Sequence, residues 1–187
     1  MEEKLIAIMK ENMFLERDLQ LVQQLGLPNW CIAAGYVRNF VWDYLAGNPQ
    51  RSPMNDVDVL YYDSNDLDET REKEYEARLI RLWPEYDWSV KNQARMHLRN
   101  DEPPYESVED AMKHWPETAT AVGITLDEKQ QLKVIAPFGL DDLFAMIIRR
   151  SPFFADRDYF CARIQRKGWL KLWPQVRLID SAAAVQS

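Results

Sequence analysis

The sequence predicts an α+β fold, in which a small sheet is flanked by helices and additional helices follow at the C-terminal end. Two observations lead to this prediction. Short apolar or alternating runs are typical of strands, while longer stretches with apolar residues every three or four positions are typical of amphipathic helices. At 187 residues the chain has the size of one ordinary domain. We expect a single domain over 1–187, with an N-terminal helical part (1–29), a core (30–100), and a hairpin followed by C-terminal helices (101–187).

The first predicted elements are a helical segment and a buried strand. Apolar residues recur at spacings of mostly three and four near the N-terminus, which predicts one or two amphipathic helices over about 3–25. Turn residues at 26–28 end that pattern. The nearly continuous apolar run 30–34 predicts a buried strand that ends in a turn at Gly35. A helix with an apolar face over 37–45 follows.

A strand that begins with two acidic residues follows a turn-rich loop over 47–53. Over 56–63 acidic residues first alternate with apolar residues and then give way to an apolar run, which predicts a strand. Asp56 and Asp58 lie two positions apart, so their side chains point to the same face of that strand. A charged helix is predicted next, over 66–83, because acidic residues open it and a proline follows its end.

The rest of the chain supplies the remaining strands and helices. Alternation and apolar helical faces predict them in the same way. They are a strand over 88–93, a short helix that starts at 107–110 and covers 111–115, a β-hairpin made of strands 121–126 and 132–136, and helices over 140–149 and 156–172.

Composition and charge narrow the classes of function. The formal net charge of −7 argues against a protein that mainly coats a nucleic-acid backbone, because such binding needs clustered Lys and Arg. Cys31 and Cys161 lie far apart without metal-ligand spacing, so neither a disulfide framework nor a zinc site is expected. The acidic N-terminus lacks the apolar run of a signal peptide, and no apolar run reaches the length of a membrane span. We expect a cytoplasmic protein that does not contact a membrane.

Asp56 and Asp58 are the candidate metal ligands. Mg²⁺ prefers hard oxygen ligands and is usually held by one or two carboxylates together with substrate phosphates. Two carboxylates on one face of a strand therefore suit a complex of a nucleotide with Mg²⁺ (or Mn²⁺), in which the metal offsets the charge of the triphosphate. The alternative is that both acids are solvated charges that protect a sheet edge.

The helix that begins at Gly35 is the candidate phosphate site. Free backbone N–H groups at a helix N-terminus bind anions, and the side chain of Arg38 can add a charge-assisted contact to the same phosphate. The alternatives are a tight turn without a ligand at Gly35 and an exposed helical charge at Arg38.

Together, the two motifs carry a family resemblance. The segment 34–39 followed by 55–59 resembles the nucleotidyltransferase fold of polymerase beta-like enzymes and tRNA nucleotidyltransferases, which places a glycine-containing turn and helix before the strand with the metal-binding acids. The resemblance implies that the small sheet is mixed and that Gly35, Arg38 and Asn39 bind the nucleotide. Further segments resemble a bacterial group of nucleotidyltransferase-like proteins, and these are 88–97, 115–120 and 136–143.

The resemblance also raises the matter of a third carboxylate. Active members of the superfamily generally carry one on a neighbouring strand, where it helps to bind the metal and accepts a proton from the attacking hydroxyl. In the corresponding strand the only acid is Asp87 at the start, whereas the middle holds Lys91, Asn92 and Gln93. Asp87 is therefore a candidate catalytic acid, or else an ordinary turn residue.

Asn92, Arg95 and His97 form a second polar cluster and are candidate nucleotide-binding residues. Arg95 can bind phosphate, and His97 can move a proton or contact the acceptor, because imidazole titrates near neutrality. On an extended backbone Arg95 and His97 share a face and Asn92 lies on the other, so a bulge or turn is needed to gather all three. The alternatives are a surface charge at Arg95 and a structural, hydrogen-bonded residue at His97.

These residues predict a metal-dependent nucleotidyltransferase that moves a nucleoside monophosphate from an NTP to an unknown acceptor hydroxyl. Without a basic surface, a small molecule or a protein is favoured as the acceptor over a long nucleic acid, although a single RNA end can still be bound locally. The alternative is a catalytically silent module that binds nucleotide and metal. A third possibility is a structural protein in which Asp56 and Asp58 only decorate a strand.

Overall fold

The computed structural model describes residues 1–48, 52 and 56–179. Within these ranges the helices are α1 (Glu2–Lys10), α2 (Leu15–Gln23), α3 (Gly35–Ala46), α4 (Glu69–Leu82), α5 (Gln93–Asn100), α6 (Val108–Lys113), α7 (Asp141–Phe144), α8 (Arg157–Lys167) and α9 (Trp169–Leu172), and Thr118–Thr120 forms a 3₁₀ turn. The strands are β1 (Cys31–Ala33), β2 (Asp56–Tyr61), β3 (Asp87–Asn92), β4 (Gly123–Leu126), β5 (Leu132–Ile135), β6 (Ile147–Arg149) and β7 (Arg177–Ile179). None of these helices is both long and apolar enough to cross a bilayer.

Five strands form the main sheet, in the order β3-β2-β1-β4-β5. Strands β2 and β3 are parallel and the other neighbours are antiparallel, so the sheet is mixed, as predicted. The parallel pair is connected through α4, because parallel strands need a long crossover that usually contains a helix. The predicted hairpin is confirmed as β4 and β5. A separate parallel pair joins β6 to β7, and the sequence did not predict β7.

The two faces of the main sheet are covered differently. The odd-numbered residues of β2 pack into the main core together with apolar side chains of α1, α2 and α3. Leu60 points to the opposite face and packs in a smaller cluster with Val108 and Met112 of α6. Because side chains alternate along a strand, Asp56 and Asp58 share the face of Leu60. The two acids therefore lie on the side of the sheet that the main core does not cover.

The first half of the chain follows the predicted pattern of elements. The predicted helical segment 3–25 forms the two helices α1 and α2, and the predicted strands begin and end within a few residues of β1 and β2. Asp68 caps α4 by accepting a hydrogen bond from the backbone N–H of Thr70. Of the predicted loop 47–53, residues 49–51 and 53 lie outside the described part of the chain, as does Asn55 of the second motif.

The predicted helix over 140–149 is wrong beyond its first turn. Helix α7 has four residues, and the apolar side chains that follow it belong to strand β6. Met146 adopts a positive φ of 52°, which a helix does not tolerate, and the β-branched pair Ile147 and Ile148 favours the strand. The predicted helix over 156–172 is divided into α8 and α9 at Gly168, whose φ is 65°.

The predicted strand over 88–93 corresponds to β3 and ends one residue earlier than predicted. Strand β3 ends at Asn92, and helix α5 begins with the next residue. The Asn92 side chain accepts a hydrogen bond from the backbone N–H of Ala94 at 3.1 Å, so it caps the helix. Arg95 and His97 consequently lie on a helix, where residues two positions apart do not share a face.

Candidate functional site

Asp56 and Asp58 lie at the start of β2, beside the parallel strand β3. Asp87 is the register partner of Asp56, and Ser89 is the register partner of Asp58. Paired residues of neighbouring strands point to the same face of a sheet, so these four side chains share one surface. The third carboxylate expected from the resemblance thus has a candidate next to Asp56, while the position beside Asp58 carries a hydroxyl group.

The Asp58 carboxyl group lies in an environment that disfavours its negative charge. Burial raises its pKa above the ordinary value, and the nearby charge of Asp56 raises it further. The positive charges of Lys167 and Arg163 and a hydrogen bond from Ser89 act in the opposite direction without offsetting the burial. A cation placed between Asp56 and Asp58 would relieve this unfavourable charge.

The donor atoms of the pair suit Mg²⁺ or Mn²⁺. Both candidate ligands are carboxylates, and hard divalent cations are usually held by one or two such groups when substrate phosphates complete the coordination. Within residues 1–48, 52 and 56–179, no group of three or more His, Cys, Asp or Glu side chains is arranged to hold a metal by itself. The arrangement therefore fits a metal that is bound together with a nucleotide.

The turn between β1 and α3 places the helix N-terminus next to the acids. Gly35 is the first residue of α3, and the positive φ of the turn falls on Ala34, whose φ is 58° and ψ −122°. The expected turn at Gly35 is thus shifted by one residue. Ala34 is held there because its N–H donates to Val122 O at 3.0 Å and its carbonyl accepts from Arg38 N at 2.9 Å. Such conformations of non-glycine residues cost about 1–3 kcal/mol and cluster at functional sites.

The substitution Ala34→Gly is expected to stabilise the protein by about 1 kcal/mol, because the removed strain exceeds the extra entropy of an unfolded glycine. Ala33→Gly is the matched control in the adjacent strand position. Ala33 is fully buried without a positive φ, so this change should destabilise the protein by about 1 kcal/mol. Urea unfolding of both variants measures the two shifts, and a lower midpoint for Ala34→Gly would contradict the strain.

Arg38 is a buried and fixed cation beside the turn. Its side chain is nearly inaccessible, with 4% exposure; Nη1 donates to Thr120 Oγ1 at 2.7 Å and Nη2 donates to Asn39 Oδ1 at 2.7 Å. The guanidinium lies over the Trp169 ring, 4.2 Å from its centroid. Burial lowers the pKa of Arg38 to about 10, so the group keeps its charge at neutral pH. Its buried Nε has no hydrogen-bond partner among the described residues.

These groups enclose a cavity of about 260 Å³, called here the carboxylate cavity. Its walls come from the N-terminus of α3, the start of β2, the 3₁₀ turn and the C-terminal helices. The lining residues are Ala34, Gly35, Arg38, Asn39, Asp56, Asp58, Thr120, Arg163, Lys167, Trp169 and Leu172. The structure thus brings together five of the residues predicted from the sequence, which are Gly35, Arg38, Asn39, Asp56 and Asp58.

Helices α8 and α9 contribute a wall of this cavity that was not predicted from the sequence. Arg163 and Lys167 lie four residues apart, which places them on the same face of α8. That spacing was visible in the sequence, but an exposed pair of cations on a helix is common and does not by itself indicate a site. Nothing in the sequence around Thr120 and Trp169 indicates a functional role, and only the folded structure shows that both contact Arg38.

A second, larger cavity of about 760 Å³ adjoins the first and is called here the open cavity. Asp58 lines both cavities. The floor of the open cavity is the sheet face with Ser89 and Lys91, and its walls come from α5, the end of α6 and the segment 154–159. His114 lies in one wall, where its Nδ1 is 2.8 Å from Glu102 Oε2 without the alignment of a hydrogen bond.

Asn92, Arg95 and His97 line neither of these cavities. Arg95 is paired with Glu72 through Nε at 3.1 Å and Nη2 at 2.8 Å. The amide of Asn92 donates to the carbonyls of Asp63 and Asp66 at 2.8 and 2.7 Å. His97 Nδ1 lies 2.8 Å from the carbonyl of its own helix at residue 94. The structure holds these three side chains in contacts that stabilise α5 and the loop after β2, because β3 ends at Asn92 and α5 begins with the next residue.

Comparison with known proteins bears on this arrangement. A family described as nucleotidyltransferase has a model that matches residues 20–178. A CCA-adding enzyme head domain whose structure was solved by NMR is 29% identical, with a TM-score of 0.83 over 95% of this chain and 95% of that chain. A search of curated proteins found no match.

Two longer CCA-adding enzymes share the fold at lower identity. One is in complex with CTP; it is 15% identical, has a TM-score of 0.60, and is matched over 96% of this chain and 43% of its own. The other, from Thermotoga maritima and in complex with tRNA, is 16% identical, has a TM-score of 0.59, and is matched over 95% of this chain and 42% of its own. The present chain therefore spans less than half the length of these two enzymes, and the likeness to them concerns the fold alone.

Proposed function

Because the chain belongs to the nucleotidyltransferase family and has the fold of a CCA-adding enzyme head domain, we propose that it moves a nucleoside monophosphate from an NTP to an acceptor hydroxyl. The predicted polymerase beta-like nucleotidyltransferase fold is confirmed by the same matches. The observation that carries the proposal is the carboxylate cavity, in which Asp56 and Asp58 face the N-terminus of α3 and Arg38.

Asp56 and Asp58 would hold a divalent metal, Mg²⁺ or Mn²⁺, and Asp87 is the proposed third acid. When bound, the metal would offset the charge of the triphosphate and of the leaving pyrophosphate. Asp87 is exposed and lies beside Asp56, where it can accept the proton of an attacking hydroxyl through a water molecule.

The N-terminus of α3 and Arg38 would bind the phosphates of the NTP. The first N–H groups of a helix have no intrahelical acceptor and point out of its N-terminus, towards a bound anion. Gly35 lets the phosphate approach closely, because a Cβ atom there would lie in ordinary contact with Asn39 and Arg38 and occupy cavity space. Asn39 fixes the guanidinium of Arg38 by accepting from Nη2.

The acceptor would approach Asp58 through the open cavity. This cavity shares the Asp58 wall and is about three times larger than the carboxylate cavity, so it has room for an acceptor outside the phosphate site. A nucleic-acid end is a candidate acceptor, since a protein of this fold was solved with tRNA. The segment 157–177 contains six basic residues and one acidic residue, so the overall charge of −7 does not argue against local binding of RNA. The overall charge therefore gives no reason to favour a small molecule or a protein as the acceptor over a nucleic acid.

A silent nucleotide-binding module is the second candidate function. It is favoured by Ser89, which stands beside Asp58 in the strand where active enzymes generally carry a carboxylate. In that case the protein would bind an NTP with its metal and would not transfer the nucleotide.

Transfer of a label from each α-labelled NTP in the presence of Mn²⁺ and cell extract tests the proposal. We expect labelling that is lost in the double variant Asp56→Ala/Asp58→Ala, because removal of both metal ligands costs several kcal/mol in the transition state, or at least about a hundredfold in rate. Asp101→Asn is the matched control, since Asp101 lines neither cavity and its positive φ of 55° suits Asn. Metal-dependent NTP binding without labelling would support the silent module, and the absence of both would overturn both candidates.

A further inference from the structure

Helix α8 brings two positive charges to the carboxylate cavity. Arg163 and Lys167 lie about one helical turn apart and both line the cavity that contains Asp56 and Asp58. Because these four side chains line one cavity of only about 260 Å³, both cations lie close enough to contact an anion that is bound beside the carboxylates.

The two cations are held in different ways. Arg163 Nε donates to Glu117 Oε1 at 2.7 Å, and Glu117 is almost fully buried, with 1% exposure. The second carboxylate oxygen of Glu117 has no partner among the described residues. Loss of the contact with Arg163 would therefore leave a buried charge unpaired, which keeps Arg163 in place. Lys167 is exposed and forms no ion pair with another residue of the described ranges, so its ammonium group is available to a ligand.

The balance of charges indicates what the cavity can bind. Arg38, Arg163 and Lys167 supply three positive charges, while Asp56, Asp58 and the buried Glu117 supply three negative ones. A divalent metal between the two aspartates would leave an excess of positive charge, which suits a ligand that carries several negative charges. At about 260 Å³ the cavity is smaller than the roughly 300–1,000 Å³ of ordinary ligand pockets. It therefore suits a phosphate chain and not a whole nucleotide.

We propose that Arg163 and Lys167 form a clamp for the β- and γ-phosphates of the NTP and hold the pyrophosphate that leaves. The clamp rests on the proposed nucleotidyl transfer. In that step the acceptor oxygen forms a bond to the α-phosphorus, and the bond from this phosphorus to the oxygen that bridges to the β-phosphate breaks. The bonding electrons leave with pyrophosphate, and the acceptor proton passes to water. Both cations stabilise the charge that develops on the pyrophosphate.

Binding of inorganic pyrophosphate with Mn²⁺, measured by calorimetry, tests the clamp directly. Lys167→Ala is expected to weaken this binding by at least about tenfold, because a hydrogen bond from a charged donor contributes about 1.5–3 kcal/mol. Lys171→Ala is the matched control: it removes the same charge from an exposed residue four positions further on, which does not line the cavity. Its affinity for pyrophosphate should stay within about twofold of the wild type. Binding of AMP, which lacks the β- and γ-phosphates, should be unchanged in Lys167→Ala.

Three results would overturn the clamp: no pyrophosphate binding by the wild type, wild-type affinity in Lys167→Ala, or an equal loss in Lys171→Ala. Its failure can be told apart from failure of the proposed function. If NTP transfer is lost in Asp58→Asn and retained at the wild-type level in Lys167→Ala, the clamp is wrong and nucleotidyl transfer stands. If no NTP is bound or transferred and pyrophosphate binding still depends on Lys167, the proposed function fails while the anion site remains.

Discussion

Replacement of Asp58 by Asn is expected to stabilise the metal-free protein and to abolish its activity. The carboxyl group of Asp58 is partly buried next to Asp56, and both burial and that neighbouring charge raise its pKa. A neutral amide of nearly the same shape keeps the position beside Ser89 and removes the unfavourable charge. The free energy of unfolding should rise by on the order of 1 kcal/mol, because residues of functional sites often destabilise the fold and their replacement can stabilise it. Activity should fall by at least about a hundredfold, because one metal ligand is lost.

The pH dependence of this gain follows from the direction of the pKa shift. Since the pKa of Asp58 is higher in the folded than in the unfolded state, the folded state binds more protons in the interval between the two values. The contribution of Asp58 to stability therefore falls as the pH rises through that interval. The advantage of Asp58→Asn should be present at pH 7 and absent below about pH 4, where the carboxyl group is protonated in both states. Urea unfolding at several pH values measures it.

A metal should reverse the order of stability. Mn²⁺ that binds only the folded state at a hundred times its Kd stabilises a protein by about 2.7 kcal/mol, and this gain should appear in the wild type and not in Asp58→Asn. Because the cation binds ionised carboxylates, the gain should be larger at pH 7.5 than at pH 5. Asp101→Asn should follow the wild type throughout. If the metal-free Asp58→Asn protein is less stable than the wild type at pH 7, the charge of Asp58 does not destabilise the fold. If Mn²⁺ stabilises both proteins equally, Asp58 is not a metal ligand.

Replacement of Arg38 by Lys is expected to reduce both stability and nucleotide affinity, although the charge is kept. The planar guanidinium reaches Thr120 and Asn39 at 2.7 Å each while it lies over the Trp169 ring, and an ammonium group cannot make these contacts at once. Loss of one charged hydrogen bond in a buried position should cost about 2 kcal/mol of the free energy of unfolding. The affinity for an NTP with Mn²⁺ should fall by at least about tenfold, since the phosphate contact depends on the position of the guanidinium.

Arg149→Lys separates these two effects. Arg149 is also fixed by two hydrogen bonds, to Asp142 Oδ2 at 2.9 Å and Oδ1 at 3.1 Å, and it lines neither cavity. This control should lose stability and keep its affinity for the nucleotide within about twofold. Calorimetric titration with a non-hydrolysable ATP analogue and Mn²⁺ measures the affinity of each variant. An unchanged affinity in Arg38→Lys would remove Arg38 from the phosphate site.

Local sequence patterns were reliable where the chain forms a simple strand or a helix. The alternation after Asp56 predicted β2 and the shared face of Asp56 and Asp58, because the period of a strand is fixed by its covalent geometry. They left the backbone after Asn92 open between an extended chain and a turn, and the structure has a helix there. An asparagine side chain can cap a helix as readily as it can lie in a strand, and only the hydrogen bonds of the folded chain decide between these roles.

Asp87, the candidate third acid, is a second case in which the sequence predicts a residue and only the tertiary structure defines its neighbours. The sequence identified Asp87 as the only acid near the start of its strand, but the distance along the chain does not define its neighbour. The register of β2 and β3 places Asp87 beside Asp56 and Ser89 beside Asp58. A shift of two residues would have placed Asp87 beside Asp58, and nothing in either strand alone selects between these registers. Helix α4 connects the two strands and packs against β3, so contacts outside the two strands take part in the choice.

The sequence by itself determined the mixed α+β fold, the pair Asp56 and Asp58 on one strand face, and the helix N-terminus at Gly35 before them. The strand face and the helix N-terminus follow from local periodicity and spacing, whereas the mixed sheet follows from the resemblance to the nucleotidyltransferase fold. The tertiary structure alone decided that Arg163 and Lys167 face the acids from about a hundred residues away, and that Arg95 pairs with Glu72 away from them. Contacts between distant segments depend on how the helices bury their apolar faces. The local sequence around a Lys or Arg residue therefore does not indicate which distant residues it will lie beside.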